Sequence, residues 1–235
     1  PFILPVIVAV LGLLAVFGQA GLLNDALSAL GGPRLDIYGL HGVVLAHVFF
    51  NLPLATRMLL QGWLAIPAER FRLAASLGLT RRAQFLMLEW PLLRRILPGA
   101  FAVIFVICLT SFAVALTLGG GPSATTVELA VYQAMRFDFD LGRAAALALL
   151  QLALGLAAGV VALRVSLAHG FGTGRDRIVP RWDGRGRRML DGLAIALAAA
   201  FLLVPLGMVV AKGVPGLPLI GGDTLRAAGH SLAVA

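Results

Sequence analysis

Charge is what this sequence has least of. Only 13% of its 235 residues are Asp, Glu, Lys or Arg, against 60% that are hydrophobic, and the mean hydropathy is +0.94. A soluble domain of that length needs a far more polar surface, so the composition excludes one and points to a polytopic membrane protein. Cysteine is nearly missing as well. The single one, Cys108, falls inside an apolar run, which leaves neither a disulfide framework nor a cysteine-based metal site. Catalytic signatures are wanting too. His41, His47, His169 and His230 are scattered without an HExxH spacing, and there is no GxSxG elbow. The glycines at 119–121 are not followed by the Lys-Ser or Lys-Thr of a phosphate-cradling loop. A non-enzymatic chain without a metal or cofactor of its own is the expectation.

What the sequence does have is long apolar runs. A run of about 18 or more such residues crosses a bilayer as a helix, because only a helix satisfies its own backbone hydrogen bonds where lipid cannot. Five complete runs occur, at about 1–17, 39–60, 99–118, 144–167 and 191–211, and a sixth begins near Leu225. The chain opens on Pro1 inside an apolar run, and is expected to be a fragment of something longer. The fold class expected is all-α, a helical bundle embedded in the lipid bilayer.

The net charge of +8 is not gathered on one face. Loop 61–98 holds Arg70, Arg72, Arg81, Arg82, Arg94 and Arg95, and loop 168–190 holds Arg175, Arg177, Arg181, Arg185, Arg187 and Arg188. The intervening loops hold Arg34, then Arg136 and Arg143, then Lys212. The positive-inside rule puts both arginine-rich loops in the cytoplasm, so the charge reads as topology and no nucleic-acid partner is expected.

Loop 18–38 reads as an external turn region with a short surface helix at 22–30. Span 39–60 carries His47 and Asn51, four apart on one helix face, and Pro53, which removes a backbone donor. Span 99–118 carries Thr110, Ser111, Phe112 and Thr117. Polar groups in a span face the bundle interior or a wet path, so His47, Asn51, Pro53, Ser111 and Phe112 are the candidates for a translocation path. The same groups could serve only to hydrogen-bond a neighbouring helix. Gly155 and Gly159 form a GxxxG spacing that reads as helix packing. The Gly/Arg-rich stretch 170–188 has no hydrophobic period and reads as a hinge.

The segment 66–91, IPAERFRLAASLGLTRRAQFLMLEWP, is the polar exception between two apolar spans. Pro67 suits the first turn of a helix, Glu69 favours its N-terminal dipole, and Gly78 suits its C-terminal cap. Phe71, Ala74 and Ala75 give a small, partly apolar face, and Thr80 can cap a second helix running to Pro91. The spacing predicts helix, turn and helix, with small residues facing outward and arginines at the rim, a shape that lies flat in a partner's groove.

This pattern resembles the signature loop of permease subunits of binding-protein-dependent ABC importers, written E-A-A, three residues, Gly, then a hydrophobic residue and Leu-Pro. With Gly78 on the family glycine, Pro91 falls thirteen residues on at the family proline, and Leu88 and Trp90 take the hydrophobic and Leu positions. Ala74 takes the second alanine, while Arg72 stands where the glutamate would be and Leu73 replaces the first alanine, so a salt bridge from that glutamate is not carried over. More closely, residues from about 35 to 167 are similar to the thiamine importer permeases of Gram-negative bacteria, through HVFFNLPLATRMLL, RLAASLG, LEWPLLRR and LTLGGGPSATTVELAVYQAMRFDFD.

The resemblance implies a type I importer permease fold. Residues 1–167 would be most of the first permease half, 168–190 a cytoplasmic linker, and 191–235 the start of a second half of a fused double. It implies a bacterial inner-membrane location, a cytoplasmic ABC ATPase dimer that binds the ATP, and a periplasmic binding protein that delivers a small substrate. Docking to the ATPase would use Glu69, Arg72, Ala74, Ala75, Gly78, Leu79, Arg82 and Pro91. The segment after the third span, with Gly119, Gly120, Gly121, Thr126, Glu128 and Tyr132, would sit at the external mouth or be a structural re-entrant turn.

Thiamine is the substrate that the resemblance implies. A cationic aromatic ring wants aromatic faces and carboxylates, for which Phe49, Phe50, Phe112, Glu128, Asp138 and Asp140 are available. Ferric iron, sulfate and polyamine permeases would show nearly the same loop. A secondary transporter driven by an ion gradient is the alternative from another class. It would want carboxylates in mid-span, whereas the complete spans hold only boundary acids such as Asp191.

Overall fold

The computed structural model describes residues 4–119, 124–166, 184–219 and 221–234. Among these residues every regular element is helical, and five helices are long and apolar enough to cross a membrane: Val6–Ala29, Leu40–Leu64, Arg81–Leu109, Leu141–Arg164 and Arg185–Pro218. The chain forms two compact units, one built from residues 38–195 and the other from 3–37 with 196–235.

In the second of these units, α1 (Val6–Phe17) is apolar on every side. It lies against the later part of α10 (Arg185–Gly213): a Cβ built on Gly12 would stand 2.6 Å from the Pro205 carbonyl oxygen, so only glycine allows this approach. Phe17 and Phe201 pack with ring centroids 6.3 Å apart. The short α2 (Leu22–Ala29) matches the expected surface helix. The chain around it is stitched by one buried side chain that the sequence did not signal. Asn24 Nδ2 donates to the carbonyls of Gly18 (2.9 Å) and Leu35 (2.7 Å), while its Oδ1 accepts the Leu35 N–H at 2.7 Å. Asn24→Ala should therefore strand two backbone carbonyls and an N–H and destabilise this unit by ~2 kcal/mol, read as a lower melting temperature in detergent. Beyond α10 come a 3-10 stretch (Val214–Leu219) and α11 (Gly222–Val234).

The larger unit holds α3 (Leu40–Leu64), α4 (Ala68–Ser76), α5 (Arg81–Gln84), α6 (Trp90–Leu109), α7 (Phe112–Leu118), α8 (Val127–Arg136) and α9 (Leu141–Ser166). Helix α6 packs against both α3 and α9, and α8 lies on α9. The Gly39 N–H donates to the Leu118 carbonyl at 2.7 Å, tying the start of α3 to the end of α7, so α3 runs antiparallel to α6 and α7.

Two boundaries differ from the sequence expectation. The second helix of the polar loop does not stop at Pro91: α5 passes through a π turn (Phe85–Glu89) straight into α6, giving one helix over Arg81–Leu109. The Trp90 N–H reaches back five residues to Phe85, and the wider turn accommodates the missing donor at Pro91, which then sits in the first turn of α6. The run 99–118 is not one continuous helix either. It breaks at Thr110 and Ser111, where Thr110 Oγ1 reaches the Ile107 carbonyl (3.4 Å) and Ser111 Oγ donates to the Cys108 carbonyl (3.0 Å). Side-chain hydroxyls thus satisfy carbonyls that a continuing ladder would have used.

Elsewhere the helices outrun the apolar runs. Helix α9 starts at Leu141, and α10 starts at Arg185, inside the expected linker 168–190. Residues 167–183, with Arg175, Arg177 and Arg181, lie outside the described residues, as do 1–3 of the first run.

Candidate functional site

The polar loop hangs from the end of α3. Pro67 stands just before α4, with fixed φ of −59°, and Glu69 lies in the first turn, where a carboxylate complements the helix dipole. Phe71 is 1% exposed and meets Trp63 of α3 edge-on at 6.4 Å, which turns Ala74 inward with it (3% exposed). The outward face therefore differs from the expected ridge of small residues. Ala75 and Gly78 are exposed, but the apolar contacts offered are Leu73 and Leu77, 60% and 65% exposed, beside exposed Arg70 and Arg72.

Helix α4 closes on a complete Schellman motif. Gly78 takes φ of +64°, its N–H donates to Ala75 (3.1 Å), and the Leu79 N–H donates to Ala74 (3.0 Å). Thr80 Oγ1 then accepts the Ala83 N–H at 3.4 Å and starts α5. Arg81 and Arg82 are exposed on that helix, Leu79 is half-buried and Pro91 is exposed.

A second cluster forms where α3 crosses the break between α6 and α7. His47 Nε2 hydrogen-bonds Ser111 Oγ. One turn along, Asn51 Nδ2 donates to the His47 carbonyl at 2.9 Å and lies 3.4 Å from Cys108 Sγ. A cleft of about 380 Å³ opens beside these groups, lined by Val44, His47, Asn51, Leu52, Ile104 and Cys108 among others. The structure thus joins His47 and Asn51 of the predicted path in one cleft, with Ser111 bonded to His47 at its edge. Pro53 is half-buried in α3 and is not part of the lining. Cys108 and Ile104 join the cleft through α6, a contact that no motif announced.

Past α7 the chain doubles back. A Cβ on Gly119 would lie 3.2 Å from the Ala124 carbonyl oxygen, and Thr126 Oγ1 accepts the Leu129 N–H (3.3 Å) to cap α8. Gly120 and Gly121 of the expected mouth lie outside the described residues. Glu128 bonds the Phe112 backbone N–H at the start of α7. Burial pushes its carboxyl above the ordinary carboxylate range, and the Phe112 N–H pulls it back. Tyr132, one turn further, packs between Phe112 (5.0 Å) and Phe137 (5.9 Å). Glu128 and Tyr132 of the mouth set therefore meet Phe112 of the path set on α7.

The acidic pair after α8 has structural partners: Asp140 Oδ1 accepts the Arg143 N–H at 2.9 Å and caps α9, and Asp138 lies 3.5 Å from the Arg143 guanidinium. Among the described residues no three of His, Cys, Asp and Glu gather where they could hold a metal ion. Two buried side-chain oxygens among them lack a partner, Asn51 Oδ1 and Glu128 Oε2.

Comparison with known proteins gives a consistent picture. The chain is 46% identical over 217 residues to the thiamine transport system permease protein ThiP of Escherichia coli (strain K12), covering 90% of this chain and 40% of that protein. It is 44% identical over 220 residues to the protein of the same name from Brucella abortus (strain 2308), covering 91% and 40%. With the Haemophilus influenzae protein of that name it shares 35% identity over 239 aligned positions, 100% of this chain and 44% of the relative. The chain thus spans less than half the length of these relatives. No family model matches it, and no solved structure does.

Proposed function

Since the chain belongs, over the stretch it covers, to the family of ABC-type transport-system permeases, we propose that it is part of the membrane channel of an ATP-driven importer and that its substrate is thiamine. The chain itself does no chemistry and holds no cofactor. A cytoplasmic ABC ATPase dimer binds the ATP, a periplasmic binding protein delivers the substrate, and the whole sits in a bacterial inner membrane.

The observation that carries this reading is the exposed α4, closed by its glycine and anchored by Phe71 under the last turn of α3. Such a helix presents Leu73, Leu77, Arg70 and Arg72 to a partner, with Arg81 and Arg82 following on α5, while its own position is fixed by the membrane helix above it. Closure of the ATPase on ATP then moves α4, and α3 and α6 move with it. The two membrane states differ by their affinity for the engaged ATPase. Throwing the equilibrium from 1:99 to 99:1 takes ~5.5 kcal/mol of such difference.

Two measurements test the reading. Affinity purification of the tagged permease from its native membrane should retain an ABC ATPase subunit; a preparation free of any ATPase would overturn it, because an ion-driven carrier needs none. Uptake of labelled thiamine in cells carrying the intact system should exceed that in a deletion strain, and should disappear when ATP is depleted. Thiamine uptake equal in the two strains would remove thiamine as the substrate.

A further inference from the structure

Trp90, Arg94, Leu97, Phe101, Ile104 and Cys108 follow one another along α6 at spacings of four, three, four, three and four, so they share one face of the helix. Next to the polar loop, neither α3 nor α9 covers that face. Trp90, Arg94 and Leu97 are exposed there, and Phe101 is 70% exposed, with Phe105 stacked beside it at 6.1 Å. Further along, the same face becomes one wall of the cleft, where Ile104 and Cys108 meet Val44, Val48, Leu52 and Ala55 of α3. His47 Nε2 and Asn51 Nδ2 are engaged by Ser111 and by the His47 carbonyl, so the cleft is in the main an aliphatic trough.

The polar end of this track carries charge of one sign. Arg94 makes no ion pair among the described residues, and Glu89, the acid nearest to it in sequence, lies ~140° round the helix. The arginine-rich loop marks this end of the bundle as the cytoplasmic one. From Arg94 to Ile104 is ten residues, or ~15 Å at the helical rise, which is half the ~30 Å apolar thickness of a bilayer. An arginine at the membrane surface thus stands over an apolar track one leaflet deep. Trp90, one turn outside Arg94, has the interfacial place that an indole favours.

We propose that this face holds one anionic phospholipid of the cytoplasmic leaflet, with its phosphate on Arg94 and the Trp90 indole N–H, and one acyl chain running over Leu97 and Phe101 into the cleft between α3 and α6. A cleft of about 380 Å³ with aliphatic walls takes the end of such a chain. A zwitterionic lipid offers the same chain, but its cationic group finds no carboxylate on this face, so the headgroup charge decides occupancy. A protein segment laid here would have to bring its own acid to Arg94 at the level where the apolar surface begins. The leaflet supplies a phosphate at that level everywhere. The assignment does not depend on what the permease carries.

The complete complex, with its ATPase and binding protein, is reconstituted in phosphatidylcholine nanodiscs holding a minor fraction of a lipid with a photoreactive diazirine at the end of one acyl chain. That lipid is either phosphatidylglycerol or phosphatidylcholine, and peptide mass spectrometry locates the cross-links. The phosphatidylglycerol probe should label segments 44–55 and 104–108 about fivefold more, the worth of ~1 kcal/mol for one arginine at the membrane surface. Arg94→Gln should bring the two probes level, and Arg94→Lys, which keeps the charge, should retain most of the preference. Arg164→Gln is the control for general attraction by a positive membrane face. Gln151 of α9 meets the Leu109 carbonyl of α6, and Arg164, thirteen residues on and exposed, lies ~220° round α9 from it, away from α6. The preference should survive that change.

Equal labelling by the two probes, a preference unchanged in Arg94→Gln, or an equal loss in Arg94→Gln and Arg164→Gln overturns the proposal. So does a cleft that neither lipid labels, since protein would then cover this face. Added glycerol phosphate should leave the labelling as it is; competition by it would make a soluble phosphate ester the ligand and overturn the lipid assignment.

Discussion

Gly78→Val should give a permease that enters the membrane in normal amount and no longer couples substrate to ATP hydrolysis. Gly78 holds φ at +64°, where a β-branched side chain meets its own backbone and costs ~1–2 kcal/mol or more. Space is not the obstacle, since a Cβ built there meets nothing within 4 Å. The cost is entirely conformational, and the chain escapes it by opening the two Schellman hydrogen bonds from Gly78 and Leu79. Helix α4 then loses its fixed angle to α5, and the partner's movement is dissipated in the turn. Substrate-stimulated ATP hydrolysis in proteoliposomes should fall more than about tenfold, the effect of ~1.4 kcal/mol or more. Gly78→Asn, which tolerates the left-handed region, should lose much less. Unchanged hydrolysis in the valine variant would remove this loop from the coupling path.

Phe71→Ala should have the next largest effect, by a different route. The ring is buried against Trp63 and is the main apolar anchor of a helix nine residues long, too short to stand alone in water. Removing a buried phenylalanine costs ~3–5 kcal/mol, enough to detach α4 from the end of α3. Both the melting temperature and ATPase retention should drop. Leu73→Ala makes the control on the opposite face: its side chain is 60% exposed, so stability should hold while ATPase retention weakens. Equal melting temperatures for Phe71→Ala and the unaltered protein would show that the ring is not the anchor.

Much of this was legible in the residues. Length and hydropathy mark five crossings, and the structure has five helices able to make them. Gly78 and Thr80 act locally, through a positive φ and a hydroxyl acceptor, and each falls at the helix end where its chemistry places it, while Pro67 stands one residue before α4 and not in its first turn. Facing is another matter. Whether Ala74 or Leu73 points outward depends on Trp63, eleven and ten residues away, and no pattern within α4 records that partner. The break at Thr110 and Ser111 was hidden for a similar reason. The run 99–118 is apolar enough to be continuous, and the hydroxyls that end α6 also pass for interior packing groups. The pairing of His47 with Ser111 joins positions 64 apart, and Asn51 with Cys108 positions 57 apart, distances over which helical periodicity carries no information. Asn24 is the plainest omission, a loop asparagine whose value lies in three backbone groups that only the folded chain brings within reach.

The π turn at Phe85–Glu89 inserts one residue into what would otherwise be a regular screw. Each α-helical residue advances the azimuth by ~100°, so that insertion sets the compass bearing of Arg81 and Arg82 relative to everything after Trp90. Chain length at this point, more than side-chain identity, aims the two guanidinium groups. Shortening the stretch by a single amino acid would keep every charge and swing both arginines about a quarter-circle from where they now point.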